Sequence, residues 1–194
     1  MKDSGWRDVD VAITTRDLAW LLKSHNIDWN SLKEEEFDKP LGEYTGAGAI
    51  FGVTGGVMEA AIRTGYELIT KKPVPEIEIT DVRGTDGFRT STLKVGDMTL
   101  KVGVVAGLKN VIPVLEAIKN GTLNLHFLEV MSCPAGCISG GGQPKLLMDT
   151  DREKALAARK EAIYTHDREL PFRKSHENPA VQKVYDEFLE KPNS

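Results

Sequence analysis

Apolar positions along the chain switch repeatedly between a period of two and a period of about 3.6 residues. Alternating or β-branched apolar runs predict strands over residues 9–13, 76–82, 92–95, 98–105 and 125–131. Apolar spacings of three and four predict helices over residues 18–22, 56–70, 108–119, 151–163 and 181–189. Strands and helices therefore alternate, which predicts an α/β fold with a sheet of roughly four strands flanked by helices.

Local signals mark the ends of two of these helices. Thr14 and Asp17 supply a hydroxyl cap and an early acid for the first helix. Lys71 and Pro73 close the helix that begins at Gly56, because cations are favoured at a helix carboxyl end and proline stops the next turn. These boundaries are expected to hold whatever the protein does.

Glycine is concentrated in two short stretches, residues 46–56 and 136–142, which hold nine of the 18 glycines. Glycine lets backbone approach a ligand closely and adopt positive φ, so two such loops suggest a site lined by main-chain amides, although tight structural turns explain the first loop equally well. The first stretch lies in a long aperiodic segment, residues 26–55, and loops of that length are usually functional. A dinucleotide fingerprint is not supported, because no strand precedes the first stretch, and no Gly-Lys-Ser/Thr of a Walker loop is present.

Composition excludes several classes of function. The 194 residues carry a net charge of −4 with 40% apolar residues, and no basic stripe is present, so nucleic acid is not an expected partner. No apolar run approaches the ~20 residues that span a bilayer, so no membrane span is predicted. The amino terminus lacks the apolar core of a signal peptide, and we expect a cytoplasmic protein.

The two cysteines, Cys133 and Cys137, lie in a glycine loop that follows a predicted strand, which is where α/β sheets place their sites. They can be two reduced thiols used as small apolar residues. Structural zinc is a poor fit because it needs four ligands, and a disulfide is unexpected in a reducing compartment. A four-iron cluster also needs four thiolates. Either the cysteines hold no metal, or the other ligands come from elsewhere.

The string around the cysteines is highly specific. Residues 129–144, EVMSCPAGCISGGGQP, resemble the third signature of the iron-only hydrogenases, E-x-M-x-C-x-x-G-C-x-x-G-G-G-x-P, at every specified position. Residues 45–61, TGAGAIFGVTGGVMEAA, resemble the glycine loop and helix of the same family. Residues 11–19 and 173–179 resemble its flanking segments in the same order. The likeness covers essentially the whole chain.

The resemblance implies that residues 1–194 are the second lobe of a two-lobed catalytic domain. Residues 9–150 would be an α/β lobe with glycine loops, and residues 151–194 a helical tail. The family's cofactor is the H-cluster, a four-iron cubane joined through a cysteine sulfur to a two-iron unit, and it oxidises dihydrogen or reduces protons.

Motif position implies a role for each signature residue. Cys133 would be a ligand of the cubane, and Cys137 the thiolate that bridges it to the two-iron unit. Met131 and Phe51 would line the pocket around that unit. The run Gly140, Gly141 and Gly142 would let backbone pass close to the cluster.

The family's two earlier signatures do not occur in this sequence. They supply the other cubane cysteines, a proton-relay cysteine and a lysine that holds a cyanide. The expected partners are therefore a first lobe or a second copy of the chain, an electron carrier like ferredoxin, and dihydrogen, and the chain alone is expected to hold no cofactor. A binding or redox-sensing module that has lost turnover is the alternative function, and a piece of a longer hydrogenase is a third possibility.

Three tryptophans, Trp6, Trp20 and Trp29, cluster near the amino terminus, and one or more of them is predicted to lie on an exposed apolar patch that marks an interface. Glu59 lies in the first turn of a helix, where the dipole favours an acid whatever the function. His176 is interpreted as a hydrogen-bonded loop residue rather than a metal ligand.

Overall fold

A computed structural model describes residues 5, 7, 9–36, 38–39, 42–85 and 87–189. The helices are α1 (Thr15–Ser24), α2 (Gly46–Ala49), α3 (Gly56–Thr70), α4 (Val111–Lys119), α5 (Asp149–Glu169) and α6 (Pro179–Val184). The strands are β1 (Phe88–Val95), β2 (Met98–Ala106) and β3 (Phe127–Met131). None of the helices in the described ranges is long and apolar enough to cross a membrane.

The three strands form one sheet in the order β1-β2-β3. β1 and β2 are an antiparallel hairpin that turns at Gly96 and Asp97, as the sequence predicts. β2 and β3 are parallel, and α4 is the crossover between them. The α/β class is confirmed, with three strands in the described residues rather than roughly four.

Two predicted strands are wrong. Residues 9–13 are exposed and join no sheet among the described residues. Residues 76–82 contain a 3-10 turn, Thr80–Val82. The backbone of residues 77–79 is engaged by side chains, since Arg63 donates to the Ile77 carbonyl at 2.7 Å and the Ile79 amide donates to Glu59 at 3.3 Å. These side-chain hydrogen bonds take the place of a strand ladder.

The predicted helices are present, with shifted boundaries. Thr14 caps α1 in a reciprocal capping box with Asp17, and Lys71 ends α3 in the left-handed conformation. α5 begins two residues earlier and ends six residues later than predicted. The last predicted helix is divided into α6 and a π-helical turn, Tyr185–Leu189.

In the described residues the core forms two clusters, each of which includes a residue of α3. One contains Met58 and Val82 packed against Val102 and Val104 of β2. The other lies under the glycine loops and contains Ala47, Ile50, Val53, Ala60, Ala135, Ile138 and Tyr164. Both glycine stretches are therefore anchored on the same apolar cluster.

A buried ion network joins α3 to α5. Arg63 is fully buried and uses all its donors, on Glu59 at 2.8 Å, on Asp167 at 2.8 and 2.9 Å, and on the carbonyls of Ile77 and Arg173. Burial pushes the pKa of Asp167 up, but hydrogen bonds from Arg63 and Arg173 outweigh it and hold that pKa below its ordinary value. The network fixes the helices that carry the core under the glycine loops.

Glu59 receives a second arginine, Arg83, whose Nε and Nη2 both lie 2.8 Å from the carboxylate. The Arg83 guanidinium lies 3.8 Å from the centre of the Tyr164 ring. Burial raises the pKa of Tyr164 well above its ordinary value, and the negative charge of Glu59 is the second cause of this shift. Glu59 is thus a buried carboxylate held by two arginines.

A second polar cluster joins α3 to the segment before α6 and makes a prediction about acid stability. The Lys174 ammonium, 2.9 Å from Glu67, is the largest cause that lowers the pKa of Glu67 from 4.5 to about 2. Since the folded pKa is depressed, this contribution to stability is complete above the unfolded value of 4.5 and is lost as pH falls toward about 2. We expect Lys174→Met to destabilise the chain more at about pH 7 than at about pH 3 in urea unfolding.

Lys183→Met is the control, because the ion pair that Lys183 forms within the described residues is an exposed one with Glu187 at 3.8 Å. A Lys174→Met penalty that is equal at the two pH values would contradict the role given to Glu67.

His176 belongs to the same cluster, with its ring nitrogens 3.2 Å from Thr64 and 2.9 Å from Glu67. Its interpretation as a hydrogen-bonded residue is confirmed.

Candidate functional site

The two cysteines lie in consecutive tight turns just after β3. The Gly136 amide donates to the Cys133 carbonyl and the Gly140 amide to the Cys137 carbonyl, each at 3.0 Å. Gly136 has φ 81° and ψ −160°, a conformation that side chains disfavour. The glycines therefore allow the backbone conformation of the segment between the two cysteines.

The loop before α3, residues 50–55, which we call the gripping loop, is hydrogen-bonded to this cysteine loop. The Thr54 hydroxyl donates to the Pro134 carbonyl at 3.2 Å, and the Thr54 amide to the Ala135 carbonyl at 3.4 Å. A Cβ on Gly136 would lie 2.6 Å from the Gly52 carbonyl oxygen, so the two loops touch through backbone. The two glycine stretches of the sequence therefore form one structural unit.

Glu129 ties the unit to the sheet. It lies on β3, is 4% exposed, and its two carboxylate oxygens accept from the amides of Gly55 and Met58, each at 2.7 Å. Those amides belong to the N-cap residue Gly55 and to the first turn of α3, where a helix leaves donors without partners. The strand that leads into the cysteines is thereby fastened to the helix that follows the gripping loop.

The residues singled out by the sequence lie at or beside this unit. Cys133 is half-buried and Cys137 exposed, and both are free thiols. Met131 is half-buried at the end of β3, and its carbonyl accepts from the Gly107 amide at 2.8 Å. Phe51 is 47% exposed on the gripping loop. The three glycines at 140–142 continue directly from the second cysteine turn.

The described residues offer a metal ion few ligands near the two cysteines. Within the described ranges, no group of three or more His, Cys, Asp or Glu side chains is placed to hold a metal ion. An open cavity of about 390 Å³ lies behind the cysteine loop against α5, with Pro134, Ser139 and Arg159 in its wall. Neither cysteine lines this cavity. In the described part of the chain Cys137 is exposed and Cys133 is half-buried.

The glycine run also meets the amino-terminal part of the chain. The Arg16 amide and guanidinium donate to the carbonyls of Gly142 and Gly141, at 3.4 and 3.3 Å. Gln143 donates to the Thr15 hydroxyl at 3.1 Å. α1 thus starts beside the cysteine loop.

Several residues that build the site carry no signal in the sequence that assigns them a role. Glu129 and Thr54 lie inside the quoted motifs, but their hydrogen bonds cross about 70 to 80 positions of sequence. Arg63 stands four residues after Glu59, which is a recognisable helical ion-pair spacing. No local pattern indicates Asp167 as its partner.

Two of the three tryptophans are exposed as predicted, Trp20 at 69% and Trp29 at 68%. Trp6 lies outside the described residues.

Comparison with known families gives two matches in succession along the chain. Residues 1–141 match the family described as iron only hydrogenase large subunit, C-terminal domain. Residues 153–194 match the family described as iron hydrogenase small subunit. Together they cover nearly the whole sequence.

Individual relatives agree with these matches. The chain is 49% identical over 191 residues to the NADP-reducing hydrogenase subunit HndD of Solidesulfovibrio fructosivorans, covering 98% of this chain and 32% of the relative. It is 30% identical to Protein NAR1 of Arabidopsis thaliana, covering 96% of this chain and 40% of the relative. The FeFe-hydrogenase HydA1 from Chlamydomonas reinhardtii superposes with a TM-score of 0.75 at 34% identity, over 99% of this chain and 54% of that one. The chain thus spans about a third of the curated hydrogenase relative and about half of the solved one.

Proposed function

The chain belongs to the iron-only hydrogenase family, and from that membership we propose that it is the second lobe of a hydrogenase that oxidises dihydrogen or reduces protons at an H-cluster. In this proposal a first lobe completes the site and supplies the remaining ligands. Electrons are exchanged with a carrier like ferredoxin.

The observation that carries the proposal is the pair of free thiols in two consecutive hydrogen-bonded turns. The turns of Cys133 and Cys137 are closed by backbone hydrogen bonds and contacted by a second loop, and Cys133 is half-buried while Cys137 is exposed. Thiolates are the ligands of iron–sulfur clusters, and a cubane takes four of them. The two cysteines therefore fit half of the thiolate ligands of a cubane. The other half would come from the first lobe.

The other signature residues would act around those ligands. Cys133 would hold the cubane and Cys137 would bridge it to the two-iron unit, which supplies the redox and dihydrogen chemistry when bound. Met131 and Phe51 would keep the surrounding pocket apolar and dry, and the hydrogen bonds of the protein shell would tune the potential. Gly140, Gly141 and Gly142 would let backbone approach without a side chain in the way.

A non-catalytic role is the second candidate. The similarity to Protein NAR1, which extends over the same range of this chain as the similarity to the hydrogenases, favours it. In that role the two free thiols would bind or sense without turnover. A cytoplasmic location stays a prediction, since named relatives include both a periplasmic hydrogenase and cytosolic proteins.

Iron and acid-labile sulfide measured on anaerobically purified protein test the proposal. We expect about four or more irons per complex when the chain is co-expressed with a first lobe carrying the missing cysteines, together with hydrogen evolution by gas chromatography. Cys133→Ala should abolish iron retention because it removes a thiolate ligand. Ser132→Ala, a change at the exposed neighbouring position, is the matched control and should retain the iron.

The outcomes separate the two functions. Iron retained together with hydrogen evolution supports the hydrogenase. Iron retained without hydrogen evolution favours the non-catalytic module. If no iron is retained either with or without the co-expressed first lobe, the proposal that this chain completes a hydrogenase site is overturned.

A further inference from the structure

Ser139 lies in the second cysteine turn and is hydrogen-bonded to the first. Its hydroxyl accepts from the Ala135 amide and donates to the Gly136 carbonyl, each at 3.0 Å. Its own amide also donates to the Gly136 carbonyl, at 3.1 Å. Position 139 is unspecified in the cysteine signature, so the motif assigns this serine no role. In the fold, one side chain binds both a donor and an acceptor of the segment between the two cysteines.

The position of Ser139 is fixed by its neighbours in sequence. Arg159 of α5 donates to the Ile138 carbonyl at 3.0 Å and to the Pro144 carbonyl at 2.8 Å, so the chain is fastened to α5 on both sides of the serine. The Ile138 side chain is buried in the apolar cluster under the glycine loops. The Ser139 hydroxyl is therefore held at a fixed place relative to the first cysteine turn.

The Ala135 amide is the group whose hydrogen-bond partner matters for a cluster. Ala135 follows Cys133 by two positions, and in a tight turn an amide at that spacing can donate to the sulfur of the cysteine. An amide carries one hydrogen, and here that hydrogen is directed to the Ser139 hydroxyl. Ala135 is 4% exposed, so its amide has little access to water. The serine thus takes a buried donor that the sulfur of Cys133 would otherwise receive.

We propose that Ser139 is a positioning residue that keeps the reduction potential of the cubane low, because it holds the Ala135 amide away from the Cys133 thiolate. The inference rests on the proposed function for the presence of that cubane. Hydrogen bonds to cysteine sulfurs raise the potential of a cluster, since they stabilise the additional negative charge of its reduced state. Without that hydrogen bond the reduced cubane is a stronger reductant, which favours the reduction of protons.

Redox potentiometry followed by electron paramagnetic resonance tests the inference. The measurement uses the complex of the chain with a polypeptide that carries the rest of the hydrogenase domain of the Solidesulfovibrio fructosivorans relative. In Ser139→Ala the Ala135 amide is free to donate to the Cys133 sulfur. The ratio of reduced to oxidised cubane at a fixed applied potential should then rise about tenfold, which corresponds to about 59 mV for a one-electron couple.

Two further variants separate this effect from a loss of structure. Ser139→Thr keeps the hydroxyl, and the open cavity of about 390 Å³ that Ser139 lines leaves room for the added methyl group, so the potential should equal that of the wild type. Ser132→Ala removes a hydroxyl from the exposed neighbour of Cys133 and should also leave the potential unchanged. In the chain alone, nuclear magnetic resonance should show the Ala135 amide exchanging with solvent at least about tenfold faster in Ser139→Ala than in Ser139→Thr.

The outcomes distinguish the inference from the proposed function. A potential that rises in Ser139→Ala and returns to the wild-type value in Ser139→Thr supports the inference. An unchanged potential in Ser139→Ala, or loss of the cubane from this variant, would show that the serine is only structural and would overturn the inference while leaving the proposed function intact. Equal exchange of the Ala135 amide in the two variants would also overturn it. A wild-type complex that retains no iron overturns the proposed function and the inference together.

Discussion

Asp167→Asn should lower the free energy of unfolding by about 3–5 kcal/mol, the cost of leaving a buried charge without its partner. Asp167 is fully buried and binds Arg63 through both oxygens and Arg173 through one, at 2.6 Å. Asparagine keeps the shape but removes the charge and turns an NH₂ group toward the guanidinium groups. Urea unfolding at neutral pH measures the change.

Asp97→Asn is the matched control for this substitution. Asp97 is exposed in the turn between β1 and β2, where asparagine is equally acceptable, so its effect should stay within about 0.5 kcal/mol. A loss for Asp167→Asn of less than about 1 kcal/mol would contradict the view that the network holds α3 and α5 together.

Glu129→Ala should cost about 2–5 kcal/mol, because it leaves the buried amides of Gly55 and Met58 without partners. The loss has a local consequence as well, since these bonds fasten the start of α3 to the strand that leads into the cysteines. Amide exchange should accelerate in residues 52–58 and in the cysteine loop by a larger factor than in β1. Urea unfolding and hydrogen exchange measure the two effects.

Glu129→Gln retains one acceptor oxygen and should fall between wild type and Glu129→Ala. Glu116→Ala on the exposed side of α4 is the control for removing a carboxylate, with an expected change within about 0.5 kcal/mol. Uniform acceleration of exchange across the whole sheet would show that Glu129 acts on global stability alone and would refute its positioning role.

Elements with local causes were predictable. The hairpin of β1 and β2, the helix α3 with its stop at Lys71, and the crossover helix α4 follow from periodicity and capping residues that are close in sequence. The ion network was not predictable, because the bond from Arg63 to Asp167 spans 104 positions and no short-range pattern encodes it. The strand predicted over residues 76–82 failed for the same reason, since Arg63 and Glu59 occupy its backbone groups.

The α/β class, most of the helices and the family could be predicted from the sequence, because periodicity, caps and a contiguous motif are all local properties of the chain. The union of the two glycine stretches in one unit, the link that Glu129 makes between β3 and α3, and the exposure of residues 9–36 are visible only in the folded chain. Those features depend on contacts between residues far apart in sequence, and such contacts exist only after the chain has folded.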